Sequence, residues 1–269
     1  MATTPAMKPM PLDRRVPVVA IYTALALALL SSFGMPATLL LLTPTGWRGP
    51  QLQLTVRALW AAIHVLVFVL FPLALARGLG TDALALGLRL PRAYPSAKVV
   101  SVVALCAFPL ILLFAHSQWF LRAYPMFRVQ HLDPTVQCLW LVCMASYLFS
   151  IEFFFRGFLP ALLKPALGPH ALYVALIPYV ATHSYLPEAL GAVPVGLLLG
   201  WLRNRAQSVW PGYVAHLWVA VEIELVALHQ QGIHSRDDAR RPSTKTSRPC
   251  LHLQGADRTK PQQGAICQN

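Results

Sequence analysis

In the stretch SIEFFFRGFL, Ser150 to Leu159, an acid and a base stand four residues apart in a run that is otherwise apolar and aromatic. On a helix, Glu152 and Arg156 share one face, one turn apart. Two further ionisable side chains sit in apolar surroundings downstream, His183 and His216. A carboxylate can act as general base on water, and an imidazole can polarise a carbonyl or hold an oxyanion. An arginine one turn from the carboxylate orients it. Two histidines and a glutamate are also a ligand set for catalytic zinc, with one position left open for water. The same residues therefore fit hydrolysis with Zn or with no metal at all.

The elements that must carry these groups read as membrane helices. Hydrophobic residues make up 56% of the chain and charged residues 12%, and the mean hydropathy is +0.54. A soluble domain carries about 25% charge. The apolar residues also fall in blocks rather than at amphipathic spacing, which predicts an all-α polytopic bundle of about seven spans. These are Val18–Leu42, Ala58–Ala76, Val99–His116, Thr135–Leu163, Gly168–Ser184, Pro187–Leu202 and Val209–Leu228. Pro178, Gly191 and Pro194 interrupt the fifth and sixth, and helices broken at membrane depth line cavities or are buried in protein. The first run is longer than the apolar core of a secretory signal and reads as a retained span. Residues 1–17 are then a cytoplasmic N-terminal segment, 18–229 the transmembrane domain and 230–269 a disordered tail. Lys8, Arg14, Arg15, Arg77, Arg89, Arg92, Lys98, Lys164, Arg203 and Arg205 fall on one side, against Arg48, Arg57, Arg122 and Arg128 on the other, which favours a cytoplasmic N-terminus.

The tail, with its HSRDDARRPSTKTSRP run, is polar and basic without periodicity and buries too little apolar surface to fold alone. The formal net charge of +12 has no interleaved aromatic residues around it, so no nucleic-acid partner is expected. Anionic lipid headgroups are the ordinary partner of such segments. Cys106, Cys138, Cys143, Cys250 and Cys267 show neither paired nor metal-type spacing.

Ionisable groups within a span cost about 2.5–3.5 kcal/mol at its centre, so they face an interior and find partners. Glu152 and Arg156 read equally as an internal salt bridge. His64, alone in the second span, reads as a helix–helix hydrogen-bonding residue. Glu222 and Glu224 are expected at a solvated helix end. Gly196 and Gly200, in GLLLG, form a small-residue pattern for close helix packing.

EFFFRGFL, followed by IPYVATHSYLPEALGAVPVGLLLGWLRNRAQSVWPGYVAHLWVA, resembles the CPBP family of CAAX prenyl proteases and bacteriocin-processing enzymes, also called the Abi family, and a bacterial subgroup in particular. The resemblance spans Thr135 to Leu225, a protease-like core at 135–225. The family pattern is Glu-Glu-x-x-x-Arg, aromatic-x-x-x-His, then His-x-x-x-Asn. Glu152 and Arg156 match the first, Tyr179 and His183 the second, and His216 opens the third. Ile151 stands where the family has its usual water-activating Glu, and Ala220 where it has Asn. Glu188 in PEALG offers a second carboxylate.

The resemblance implies an intramembrane peptidase that cleaves a membrane-associated peptide or protein. Glu152 would be base or metal ligand, Arg156 its support, and His183 and His216 would orient water, hold the oxyanion or bind metal. The expected place is a cell membrane, the inner membrane of a bacterium, with lipids as partners. Ile151 and Ala220 favour an inactive scaffold or immunity-type homologue as the alternative. A transporter using the buried charges as a relay is a third reading, opposed by the lack of repeated halves.

Overall fold

The computed structural model describes residues 12–33, 36–41, 49–91, 93–127, 134–183 and 186–240. The segment 1–11, most of the tail, Cys250 and Cys267 lie outside them. Every element among the described residues is helical. Helix α1 spans Leu12–Phe33 and α2 Pro36–Leu41. Helix α3, Pro50–Val65, runs through a π-helical segment, Leu66–Leu70, into α4, Phe71–Gly78. A 3-10 turn, Ala83–Leu86, leads to α5, Ala93–Phe114, and α6, Gln118–Ala123. Helix α7, Pro134–Glu152, runs through a second π-helical segment, Phe153–Phe158, into α8, Leu159–Leu167. After a short 3-10 turn come α9, Ala171–Ala181, α10, Leu186–Ala206, and α11, Trp210–Arg240.

Among the described residues, five segments are long and apolar enough to cross a membrane: Arg15–Ser32, Leu52–Gly78, Ala97–Phe114, Pro134–Ala181 and Trp210–Gln230. The expectation of seven spans changes in two places. The fourth and fifth spans share one apolar helical run, Pro134–Ala181, but the chain turns at Gly168, φ 56° and ψ −134°, and α9 packs on α8; α10, with Glu188 near its start and Arg203 and Arg205 in its last turn, is not among the five. The first expected span is described as two helical pieces, α1 and α2, on either side of residues 34–35. Arg57, assigned by the sequence to an outer loop, lies within α3. Past Gln230, where the tail is expected to start, no proline intervenes before Pro242, and α11 continues to Arg240. By its backbone contacts the chain divides after Gly232. Of the second unit, Ile233–Asn269, residues 233–240 are described and helical.

Pro178, Gly191 and Pro194 do not break their helices; α9 and α10 pass through them. Among the described residues, two helices instead run through π-helical segments, and each segment is followed two residues later by a proline, Pro72 or Pro160. A proline returns no N–H to the carbonyl four residues back, here Phe68 or Arg156, and a π bulge is one way a helix absorbs that loss. The two bulges pack on each other. Phe68 stacks on Phe154 at 4.4 Å between ring centroids, and meets Phe155 edge-on at 5.5 Å. Tyr22 of α1 closes the layer, edge-on to Phe158, with its hydroxyl donating to the Val67 carbonyl. Each such aromatic pair adds about 0.5–1.5 kcal/mol to the area it buries. Phe153, Phe154, Phe155 and Phe158 are all inaccessible, so the FFFRGF bulge is the centre of the main core.

Around it, α3 packs on α7, α8 on α1 and α9, and α9 on α10. The small-residue reading of Gly196 and Gly200 holds: a Cβ on Gly196 would lie 2.4 Å from Leu176 Cδ1, and one on Gly200 2.8 Å from Leu172 Cδ1. The connection after α4 is strapped to the start of α11. Val209 N–H donates to Gly87 O at 2.9 Å, Ser208 Oγ to Arg89 O at 2.6 Å, and Trp210 Nε1 to Leu88 O at 3.2 Å. Gly157 is required beneath this strap, since a Cβ there would come within 2.6 Å of Leu86 O.

Candidate active site

Glu152 closes α7 and is completely buried, and Arg156 follows inside the bulge at 3% exposure. Arg156 Nη1 lies 3.2 Å from Glu152 Oε1, an ion pair across one helical turn. His216, three helices away in the chain, reaches the same oxygen: its Nδ1–H donates to Glu152 Oε1 at 2.8 Å. The carboxylate can only accept, so this contact fixes the imidazole tautomer and leaves Nε2 as the free acceptor. His216 is 20% exposed, so it is the accessible end of the pair.

Glu152 Oε2 has no hydrogen-bond partner, nor do Arg156 Nη1 and Nη2 beyond the ion-pair contact. Behind Oε2 stands Gly212, in the first turn of α11, where a Cβ would sit only 3.2 Å away. Glycine lets α11 come close enough to deliver His216. The guanidinium lies over the Tyr179 ring, with Cζ 3.8 Å from its centroid. The aromatic partner of the second motif thus acts as a cation–π platform for the arginine of the first, worth about 2 kcal/mol when desolvated. A small cavity lined by Phe155, Arg156, Leu172, Ala175, Tyr179 and Gly196 adjoins this platform.

His183 lies just past the end of α9. Its ring meets Tyr179 edge-on at 5.1 Å, and its Nδ1–H donates to Tyr179 O at 3.1 Å, a carbonyl that Thr182 Oγ1 also reaches at 2.6 Å. His183 is within electrostatic reach of His216 and Glu188. The sequence expectation of a direct cluster is therefore met in part. Glu152, Arg156 and His216 touch, whereas His183 joins them through Tyr179. Among the described residues no three His, Cys, Asp or Glu side chains are grouped so as to hold a metal ion. Glu152, His183 and His216 are therefore not grouped as a zinc ligand set.

Ile151 is 4% exposed in the main core, and Ala220 packs against an apolar cluster that includes Trp60 and Trp140, so neither position offers a polar group. His64 is buried, but it bonds within its own helix: Nδ1–H donates to Trp60 O at 2.7 Å. Glu222 accepts from Trp218 Nε1 at 2.6 Å, one turn back. Glu224 contradicts the expectation of a solvated helix end. At 6% exposure it accepts from Met126 N–H at 2.8 Å, with Arg57 in electrostatic reach. Arg57 itself donates to Met126 O at 2.5 Å and lies over the Trp60 and Trp140 rings. The signal for Glu224 was its spacing, since His216, Ala220 and Glu224 recur every four residues along one helix face. Arg203 was also missed as a buried residue. It is 7% exposed and its Nε donates to Arg156 O at 2.9 Å.

Residues 133–221 match the family model described as Type II CAAX prenyl endopeptidase Rce1-like. The match holds Glu152, Arg156, Tyr179, His183 and His216, so over about a third of the chain it supports the CPBP resemblance. No curated protein and no solved structure matches.

Proposed function

From the membership of residues 133–221 in the Rce1-like family of type II CAAX prenyl endopeptidases, we propose that this multi-pass membrane protein is an intramembrane peptidase. Its substrate is a membrane-associated peptide or protein, and the bacterial inner membrane is the location its subgroup resemblance favours. The observation that carries the reading is the shared oxygen: Glu152 Oε1 pairs with Arg156 at 3.2 Å and with His216 at 2.8 Å, inside a core of phenylalanines.

With Ile151 in place of a first glutamate, Glu152 and His216 act as one unit. Glu152 accepts the hydrogen bond from His216 Nδ1–H and fixes the ring, and His216 Nε2, at the accessible end, takes the proton of the attacking water. Arg156 balances the carboxylate, and as His216 becomes imidazolium the pair is stabilised by the charge it already faces. His183 holds its Nδ1 proton on Tyr179 O, so after protonation its Nε2–H is a donor for the developing oxyanion, a role for which position 220 supplies nothing. The proton on His216 then goes to the leaving amine.

The test is turnover of membrane-anchored peptides by the purified full-length protein in vesicles, with and without chelator. Glu152→Gln and His216→Ala should each reduce kcat by about two to four orders of magnitude, and the double variant should be no worse than the poorer single, as for groups that act as a unit. Additive losses would separate the two roles. Full turnover in Glu152→Gln would remove the acid from the mechanism. The second reading, an inactive scaffold, is favoured by the buried Ile151 and the apolar surroundings of Ala220, and predicts no cleavage by the unaltered protein.

A further inference from the structure

We infer that Arg203 is a positioning residue for the Glu152 site. It acts through the Arg156 main chain and substitutes for the backbone donor that Pro160 removes. Arg156 O would ordinarily accept from the N–H four residues on, but that residue is Pro160. Arg203, from the last turn of α10, donates Nε to that carbonyl at 2.9 Å instead, with both groups buried. Among the described residues no carboxylate forms an ion pair with Arg203, and its Nε is spent on this main-chain carbonyl.

The carbonyl it holds belongs to the residue whose side chain pairs with Glu152. Charged donors make the stronger hydrogen bonds, and this one ties α10 to the bulge itself, two residues before π geometry returns to α. Without it, the bulge keeps its phenylalanine packing but loses the bond that fixes the Arg156 backbone. The guanidinium then leaves its place between Glu152 Oε1 and the Tyr179 ring. The proposal rests on the peptidase reading only for its effect on turnover.

It is tested without substrate, on full-length protein in phospholipid vesicles, by the rate at which dicyclohexylcarbodiimide labels Glu152, mapped by peptide mass spectrometry. This reagent favours carboxyl groups in apolar surroundings that lack a cation partner. Arg203→Met should speed labelling of Glu152 by about fivefold, the worth of one lost buried hydrogen bond, with labelling of Glu224 unchanged. Arg203→Gln, which keeps a donor, should stay within about twofold of the unaltered protein. In a Pro160→Ala background, where an N–H is restored, Arg203→Met should have little effect. If Arg203→Met does not fold, recovery of folded protein in the Pro160→Ala background supports the substitution of donors, and failure there overturns it. Unchanged Glu152 labelling, or Glu152 and Glu224 rising together, would also overturn it. A protein without peptidase activity would end the functional reading and leave this labelling ratio to decide the structural one.

Discussion

The ion pair between Glu152 and Arg156 can be weighed by a double-mutant cycle. The two groups are 0% and 3% exposed and 3.2 Å apart, so neither can turn to water when the other is removed. Breaking a buried pair from one side costs about 3–5 kcal/mol, and once one charge is gone, removing the other adds little. The two singles differ in what remains. After Arg156→Met, Glu152 keeps the His216 contact at 2.8 Å. After Glu152→Gln, Arg156 keeps the Tyr179 ring at 3.8 Å, and the new amide remains a neutral acceptor. Each single is therefore expected at the lower end, about 3 kcal/mol, and the double at about 3 rather than 6. That leaves a coupling of about 3 kcal/mol, or two powers of ten in the unfolding equilibrium. Intramembrane hydrogen bonds in such cycles average about 0.6 kcal/mol, so the value separates an ion pair from an ordinary polar contact. The assay is reversible unfolding in mixed micelles, followed by helical circular dichroism for all four proteins. Coupling below about 0.5 kcal/mol would show that the short approach carries no energy and that the charges are stabilised independently.

Gly196→Ala places a Cβ 2.4 Å from Leu176 Cδ1 and 3.1 Å from the Tyr179 ring. Leu176 can turn away, but Tyr179 is held by Arg156 and Phe155, so stability should fall by about 1–2 kcal/mol and peptide turnover by roughly tenfold. Gly191→Ala, inside the same helix with nothing within 4 Å, is the control: it should leave the rate unchanged and raise stability by up to about 1 kcal/mol through helix propensity. Glu224→Leu strands the Met126 N–H and the Arg57 guanidinium and should cost about 2–3 kcal/mol in thermal unfolding, whereas Glu224→Gln, which keeps the acceptor, should cost under about 1 kcal/mol.

The membrane class and the Glu152/Arg156 pair were legible because both rest on short-range rules: apolar run length, and the four-residue spacing that stacks side chains on a helix. Gly196 and Gly200 were legible for the same reason. The His216 contact with Glu152 was not, because nothing local relates residues on separate helices; the family pattern alone brought them together. Arg57, Arg203 and Glu224 were misread through position. Near the ends of apolar runs, charged residues count as solvated, but here each is turned inward to a backbone group or a ring. The irregular backbone was sought at the prolines and glycine of α9 and α10, where the helices absorb them. The visible signal lay instead at Pro72 and Pro160, each two residues beyond a π segment.

The bulge at Phe153–Phe158 makes this part of the gene tolerant and intolerant in an uncommon combination. A π segment holds one more residue than the α turn it replaces, so it records an insertion that the helix has absorbed. Deleting one codon there need not unfold the helix, because the chain can close the gap by returning to α geometry. Because the extra residue sits in the wide turn, the helices on either side would keep their facing, whereas one residue lost from α7 or α8 would rotate everything beyond it by about 100°. A deletion at Phe153, Phe154 or Phe155 would bring Glu152 and Arg156 from four residues apart to three, still on one helix face. Such a variant should insert and fold, whereas a deletion one turn outside the bulge should not.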